Sequence, residues 1–170
     1  QLVAVIFQLQ SLNQFGGVSA THLDWTMVPY FRKSFMKHYI VAWAKSQDSF
    51  GDTDFIKLYD ETYTDAVGVI RSVFDEWCDK NKDSFFAATG LTKDDFTLAN
   101  KKKLDKQLYN SALCDTLQEL RQAVEAMYHN LNTLQSRSGD QLPFTSINYG
   151  TCTFEEGRLV TRALLLGSLE

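Results

Sequence analysis

The stretch Phe144-Thr-Ser-Ile-Asn-Tyr149, followed by Gly150-Thr-Cys-Thr-Phe-Glu-Glu156, decides how this chain is read. Its first six residues, rich in β-branched and aromatic side chains, have the composition of a short strand. Gly150 can take the turn that leaves the strand. Thr153 followed by Glu156 three residues later has the pattern of a capping box, so a helix is expected from there to the end of the sequence. A strand–glycine–helix junction aims unpaired backbone N–H groups outward, and with the helix dipole these attract phosphates and other anions. Gly150 would allow close backbone approach, and Thr151 and Thr153 add hydroxyls. Alternation places Phe144, Ser146 and Asn148 on one face of the strand and Thr145, Ile147 and Tyr149 on the other. The same pattern also suits an ordinary capped strand–helix unit that holds no ligand, and both readings stand at this level.

Upstream, the chain has the periodicity of helices. Leu2, Val3, Ile6, Phe7, Leu9 and Leu12 predict one over residues 1 to about 14, broken by Phe15-Gly-Gly-Val-Ser19. A second is expected over about 24–46, with Asp24 as N-cap and Pro29 near its start, and a turn over 48–54 around Gly51. Phe55, Leu58, Tyr59, Thr62, Ala66, Ile70, Val73, Phe74 and Trp77 predict a third over about 54–80. A less regular connection containing Gly90 spans 82–97. A fourth, from about 98 to 136, carries Leu113, Leu117, Leu120, Val124, Met127, Leu131 and Leu134 at alternating steps of four and three, a heptad seam for packing on other helices. The fold class expected is mainly α with one short strand, in one domain: 1–136 largely helical, 144–170 strand plus helix.

Of the 170 residues, 44% are hydrophobic and 22% charged, which suits a soluble globular protein and excludes a disordered or collagen-like chain. No apolar run is long enough to span a bilayer. A net charge of −4 argues against nucleic acid as a partner, because phosphate contacts need a basic surface. Cys78, Cys114 and Cys152 are far apart and odd in number, so neither a disulfide framework nor a zinc site is expected, and reduced thiols suit a cytoplasmic setting. Cys152 lies near a helix N-terminus, where a thiol pKa can fall, but no histidine follows it to serve as base. His22, His38 and His129 lack metal-ligand spacing and are expected to be local hydrogen-bonding or surface residues. Lys101-Lys-Lys103 is expected to be a solvated helix face. There is no phosphate-binding glycine loop. No catalytic residue and no metal ligand is assigned. Both ends look cut, and the chain is read as an internal excerpt of a longer protein.

Two stretches carry more. Tyr128 to Thr151, followed by Glu156-Gly-Arg158 and Leu164-Leu-Leu166, closely resembles the anaerobic (class III) ribonucleoside-triphosphate reductases, and Phe15-Gly-Gly17 with Asp24, Pro29 and Arg32-Lys-Ser-Phe35 resembles the same family in the same order. The resemblance implies an oxidoreductase that converts ribonucleoside triphosphates to deoxyribonucleoside triphosphates for DNA synthesis by glycyl and thiyl radical chemistry. It implies a ten-stranded α/β barrel and a homodimer with nucleotide effectors bound near helices at its interface. A separate radical-SAM activating enzyme would make the glycyl radical, and a structural four-cysteine zinc site would lie near the C-terminus of the full-length enzyme. None of Cys78, Cys114 and Cys152 sits in the matching motifs, and many relatives carry Asp at the position of Cys152. In this reading Phe144–Tyr149 is a barrel strand, and Asn148, Gly150 and Thr151 face the substrate end, with Thr153 beside them. The excerpt by itself is expected to be inactive, since it holds neither the radical glycine nor the thiyl cysteine. The competing expectations are a helical, coiled-coil-like interaction module without enzymatic activity, built on the 113–134 seam, and another glycyl-radical enzyme such as an acyl-lyase, which would lack the Asn130-to-Thr151 motif.

Overall fold

Val18–Ala20 becomes a strand by lying parallel to Thr145–Ile147, far along the chain, with Val18 beside Thr145, Ser19 beside Ser146 and Ala20 beside Ile147. A computed structural model of the chain describes residues 6–7, 9–10, 17–47, 61–64, 66–68, 70–133 and 144–169. In chain order the elements are β1 (Val18–Ala20), α1 (Leu23–Ser46), β2 (Thr62–Thr64), β3 (Ile70–Ser72), α2 (Val73–Thr89), two 3-10 turns (Lys93–Asp95 and Leu98–Asn100), α3 (Lys106–Thr133), β4 (Thr145–Ile147) and α4 (Glu155–Gly167). The protein is mainly helical, as the periodicity predicts. Among the described residues there are two two-stranded sheets, β1–β4 and an antiparallel β2–β3 hairpin. None of the described helices is long and apolar enough to cross a membrane.

Several sequence expectations are corrected. In place of the single expected strand, four are present among the described residues. The helix expected over 54–80 begins only at Val73; Thr62–Thr64 and Ile70–Ser72 pair as a hairpin instead. Thr62, Tyr63 and Thr64 prefer extended backbone, and Gly68, at φ 85°, supplies a left-handed turn no helix holds. The helix then runs through the expected connection as far as Thr89, and Gly90, at φ 69°, stops it by donating its N–H to Phe86 O at 2.9 Å. Residues 98–100 form a 3-10 turn, and α3 starts at Lys106 because Asp105 caps it: Oδ1 accepts the N–H groups of Gln107 and Leu108 at 2.9 and 3.0 Å. Of the expected seam, Val124, Met127 and Leu131 are buried and Leu113, Leu117 and Leu120 half-buried, while Leu134 lies outside the described residues. Of the first expected helix, residues 6, 7, 9 and 10 are described and are helical. The expected turn over 48–54 lies outside the described residues.

The chain forms two compact units, one from Gln1–Phe31 with Thr116–Glu170, the other from Arg32–Asp115. The second unit has an aromatic core. Phe85 is fully buried, and its ring meets those of Tyr39 and Trp43 edge to face, as the ring quadrupoles favour, at centroid distances of 6.0 and 5.2 Å, and those of Phe86 and Phe96 in a tilted arrangement at 5.4 and 6.0 Å. Phe35 joins through Tyr39, Phe96 and Tyr109. The Tyr39 hydroxyl accepts the Asp105 N–H at 3.0 Å, which ties this core to the start of α3. Beside it, Val41, Phe74 and Cys78 are buried together against Val73 and Trp77, and Lys37 pairs with Asp75.

In the first unit, glycines set how closely elements approach. A Cβ at Gly167 would come within 2.7 Å of Val124 Cγ1, so its absence lets the end of α4 lie on α3, where Tyr128 donates its hydroxyl proton to Leu164 O at 3.1 Å. A Cβ at Gly17 would stand 2.7 Å from Phe144 O, where the Val18 N–H donates at 2.8 Å. Phe85→Ala should destabilise the protein by about 3–5 kcal/mol, the range for removing a large buried ring. Urea unfolding followed by circular dichroism measures it; a loss below about 1 kcal/mol would mean that Phe85 is not the centre of the second unit.

Candidate functional site at the strand ends

Both strands of the parallel pair are followed by helices, β1 by α1 across residues 21–22 and β4 by α4 across residues 148–154, and their C-terminal ends lie side by side at one corner of the first unit. The ladder continues past the strands. Asn148 donates its N–H to Ala20 O at 2.8 Å, and Leu23 donates its own to Asn148 O at 3.1 Å. Beyond Asn148 the chain turns at Gly150, whose φ of 102° is a left-handed conformation that side chains disfavour. The turn expected of Gly150 is there. The expected alternation is there too: Phe144, Ser146 and Asn148 are exposed, and Thr145, Ile147 and Tyr149 half-buried.

The corner is organised by Asp24. Predicted as the N-cap of α1, it lies instead within the first turn, fully buried. Its Oδ2 accepts the N–H groups of Gly150 and Cys152 at 2.9 and 2.8 Å, and Oδ1 accepts the Trp25 N–H at 3.0 Å. Burial pushes its pKa upward, but the amides of Cys152, Gly150, Trp25 and Thr151 outweigh that and hold the carboxyl below the ordinary aspartate value. Two of the backbone donors that the sequence reading aimed outward are thus taken up by an anion of the chain itself.

Thr151 is exposed and stands between two side chains of the neighbouring βα unit. The Trp25 indole, a donor only, gives its Nε1–H to Thr151 Oγ1 at 3.1 Å, and His22 Nδ1 lies 3.2 Å from the same oxygen. His22 is the one described non-glycine residue with positive φ, 54°. Trp25 also meets Phe154 edge to face at 5.3 Å. Thr153 is exposed but does not cap α4: Phe154 occupies the N-cap position without a side-chain cap bond, and Glu156 is buried, so the expected capping box is not formed. The helix begins one residue later than expected, with Phe154, whose ring meets Trp25, at its N-cap.

Of the candidate residues, Asn148, Gly150 and Thr151 come together on this corner with His22, Asp24 and Trp25. Sequence reading missed the last three as site residues because nothing local shows which strands are neighbours. Cys152 is buried, and a Cβ on Gly157 would overlap its sulfur and come within 2.6 Å of its Cβ, so the thiol faces a packed helix. Cys78 is buried, and its pKa is pushed up to about 12, chiefly by burial, with Lys37 opposing and Asp79 adding. Cys114 is exposed. Among the described residues no group of three His, Cys, Asp or Glu side chains could hold a metal ion, so these residues do not fit a zinc site.

The chain is thus mainly helical, with one short parallel strand pair whose members are each followed by a helix. Over residues 1–170 the chain matches the family model for anaerobic ribonucleoside-triphosphate reductase, and it belongs to that family, one of oxidoreductases acting on ribonucleotides. A search of curated proteins returns no match. Nothing in the fold favours the alternative of a helical interaction module, which has no use for a parallel strand pair.

Because folding lowers the Asp24 pKa, its carboxylate stabilises the fold above the unfolded value of about 3.9, and that contribution is lost as pH falls through the lower folded value. Asp24→Asn leaves a buried N–H facing an amide donor and should destabilise by about 2–3 kcal/mol at pH 7. Urea unfolding from pH 7 to pH 2.5 should show the gap between wild type and variant close at the acid end; a gap independent of pH would contradict this assignment.

Proposed function

We propose that the β1–β4 corner is one wall of the ribonucleoside-triphosphate site in a ten-stranded α/β barrel of the glycyl-radical type, with Asn148, Gly150, Thr151 and Thr153 toward the substrate. The observation that carries this reading is the parallel pairing of β1 with β4, both feeding helices, in a chain of the reductase family. Parallel strands need crossover connections and, in α/β folds, helices on their outer face, which leaves the strand ends as the ligand edge. Asn148 and Thr151 are exposed at that edge, while Asp24 fixes the loop between them.

In this proposal the chain positions substrate and does not carry the radical. Cys78 and Cys152 are buried, and neither they nor Cys114 stands on the strand-end corner as an exposed thiol. The radical glycine, the thiyl cysteine and the zinc cysteines are assigned to none of the described residues. A homodimer, nucleotide effectors and a radical-SAM activating enzyme belong to the same proposal as partners of the reductase.

Asn148→Ala and Thr151→Val, each made in the reductase polypeptide that carries this sequence, should raise KM for the ribonucleoside triphosphate by about five- to tenfold, the effect of losing one hydrogen bond in a site. Steady-state kinetics under anaerobic conditions gives the answer. Unchanged KM and kcat in both variants would refute the placement of the site.

A further inference from the structure

The uncovered face of the β1–β4 pair has a chemistry of its own. Ser19 and Ser146 are register partners across the two strands, and both are exposed. Asn148, two residues beyond Ser146, falls on the same face and is also exposed. Its backbone N–H and C=O are engaged in the extended ladder, which leaves the carboxamide as its available group. Among the described residues neither serine hydroxyl nor that carboxamide has a hydrogen-bond partner. The opposite face holds the half-buried Ala20, Thr145, Ile147 and Tyr149 and the buried Val18. One side of the pair is therefore packed, and the other carries three neutral polar groups in a row with the exposed ring of Phe144 before them.

The kind of group that row can hold follows from its donors and acceptors. Serine hydroxyls and a carboxamide each donate and accept. None of the residues that alternation places on this face carries a charge. Phosphate oxygens only accept and are met by cations or clustered amides. In the loop that leaves the row, the amides of Gly150 and Cys152 are already given to Asp24. Sugar hydroxyls, which also donate and accept, are the complementary partner. We infer that Ser19, Ser146 and Asn148 hold the ribose hydroxyls of the ribonucleoside triphosphate, the two serines taking the 2′-hydroxyl, so that this face recognises the sugar and the phosphates lie elsewhere. The inference rests on the site proposed above and adds two residues, Ser19 and Ser146, with a role in selecting ribose over deoxyribose. A site built to hydrogen-bond a hydroxyl discriminates against the analogue that lacks it, because its own polar groups are then left unpaired.

The test uses the reductase polypeptide carrying this sequence, with CTP as substrate and 2′-deoxy-CTP as competitive inhibitor of CTP reduction. Ser19→Ala and Ser146→Ala should each raise KM for CTP about fivefold, the double variant more, while the inhibition constant of 2′-deoxy-CTP stays within about twofold. Ser146→Thr, which keeps a hydroxyl and suits a strand, should restore the preference for the ribonucleotide, a result that a purely structural effect would not give. Equal weakening of both nucleotides, or no change in either, overturns the inference. If the serine variants leave CTP untouched while Asn148→Ala or Thr151→Val raises its KM, the sugar assignment fails and the site stands. If none of the four positions matters, both fail.

Discussion

The carboxylate of Asp24 is removed from solvent, and its two oxygens are met by backbone N–H groups from its own helix and from the loop that leaves β4. A buried anion without partners would be untenable, and three good donors make this one stable. The bond is also an architectural link. It joins the first turn of α1 to residues 150–152, so two strand–helix units distant in sequence share one corner. The left-handed turn at Gly150 presents its own N–H and that of Cys152 to one oxygen. Thr151, between them, is left to face Trp25 and His22. Gly157 lets α4 close over Cys152 behind the loop.

This arrangement alters the usual reading of a strand–glycine–helix junction. In many α/β proteins the loop amides meet a ligand's phosphate. Here an internal carboxylate takes that place, and the polar groups left exposed beside it are side chains: the hydroxyl of Thr151, the carboxamide of Asn148 and the serines on the uncovered strand face.

Much of this was legible in the sequence, and the omissions have physical causes. The strand within Phe144–Tyr149, its two faces and the turn at Gly150 were all readable, because alternation and glycine are local signals. The buried stripe of α3 was readable from the spacing of Val124, Met127 and Leu131. β1 was not, since three residues, Val18 to Ala20, carry no period and become a strand only through pairing with β4. The hairpin at Thr62–Ser72 was hidden because Thr62, Ile70 and Phe74 also satisfy a helical step, and only Thr62-Tyr-Thr64 and Gly68 spoke for extension and a turn. Asp24 in the first turn of a helix looks like a cap; its role across the fold depends on which loop is its neighbour, and tertiary structure alone decides that. Thr153 and Glu156 had the spacing of a capping box, but the N-cap of α4 falls on Phe154, whose ring meets Trp25, and Glu156 lies buried inside the helix.

The dependence on Asp24 can be tested most directly at the two amides it holds. In the wild-type protein near neutral pH, hydrogen exchange at Gly150 and Cys152 should be slowed to the level of the Val18 and Asn148 amides of the β1–β4 ladder, since all four would open together. Exchange at Gly150 and Cys152 at the rate of an unprotected loop, with the ladder amides still protected, would show that the carboxylate does not hold the corner.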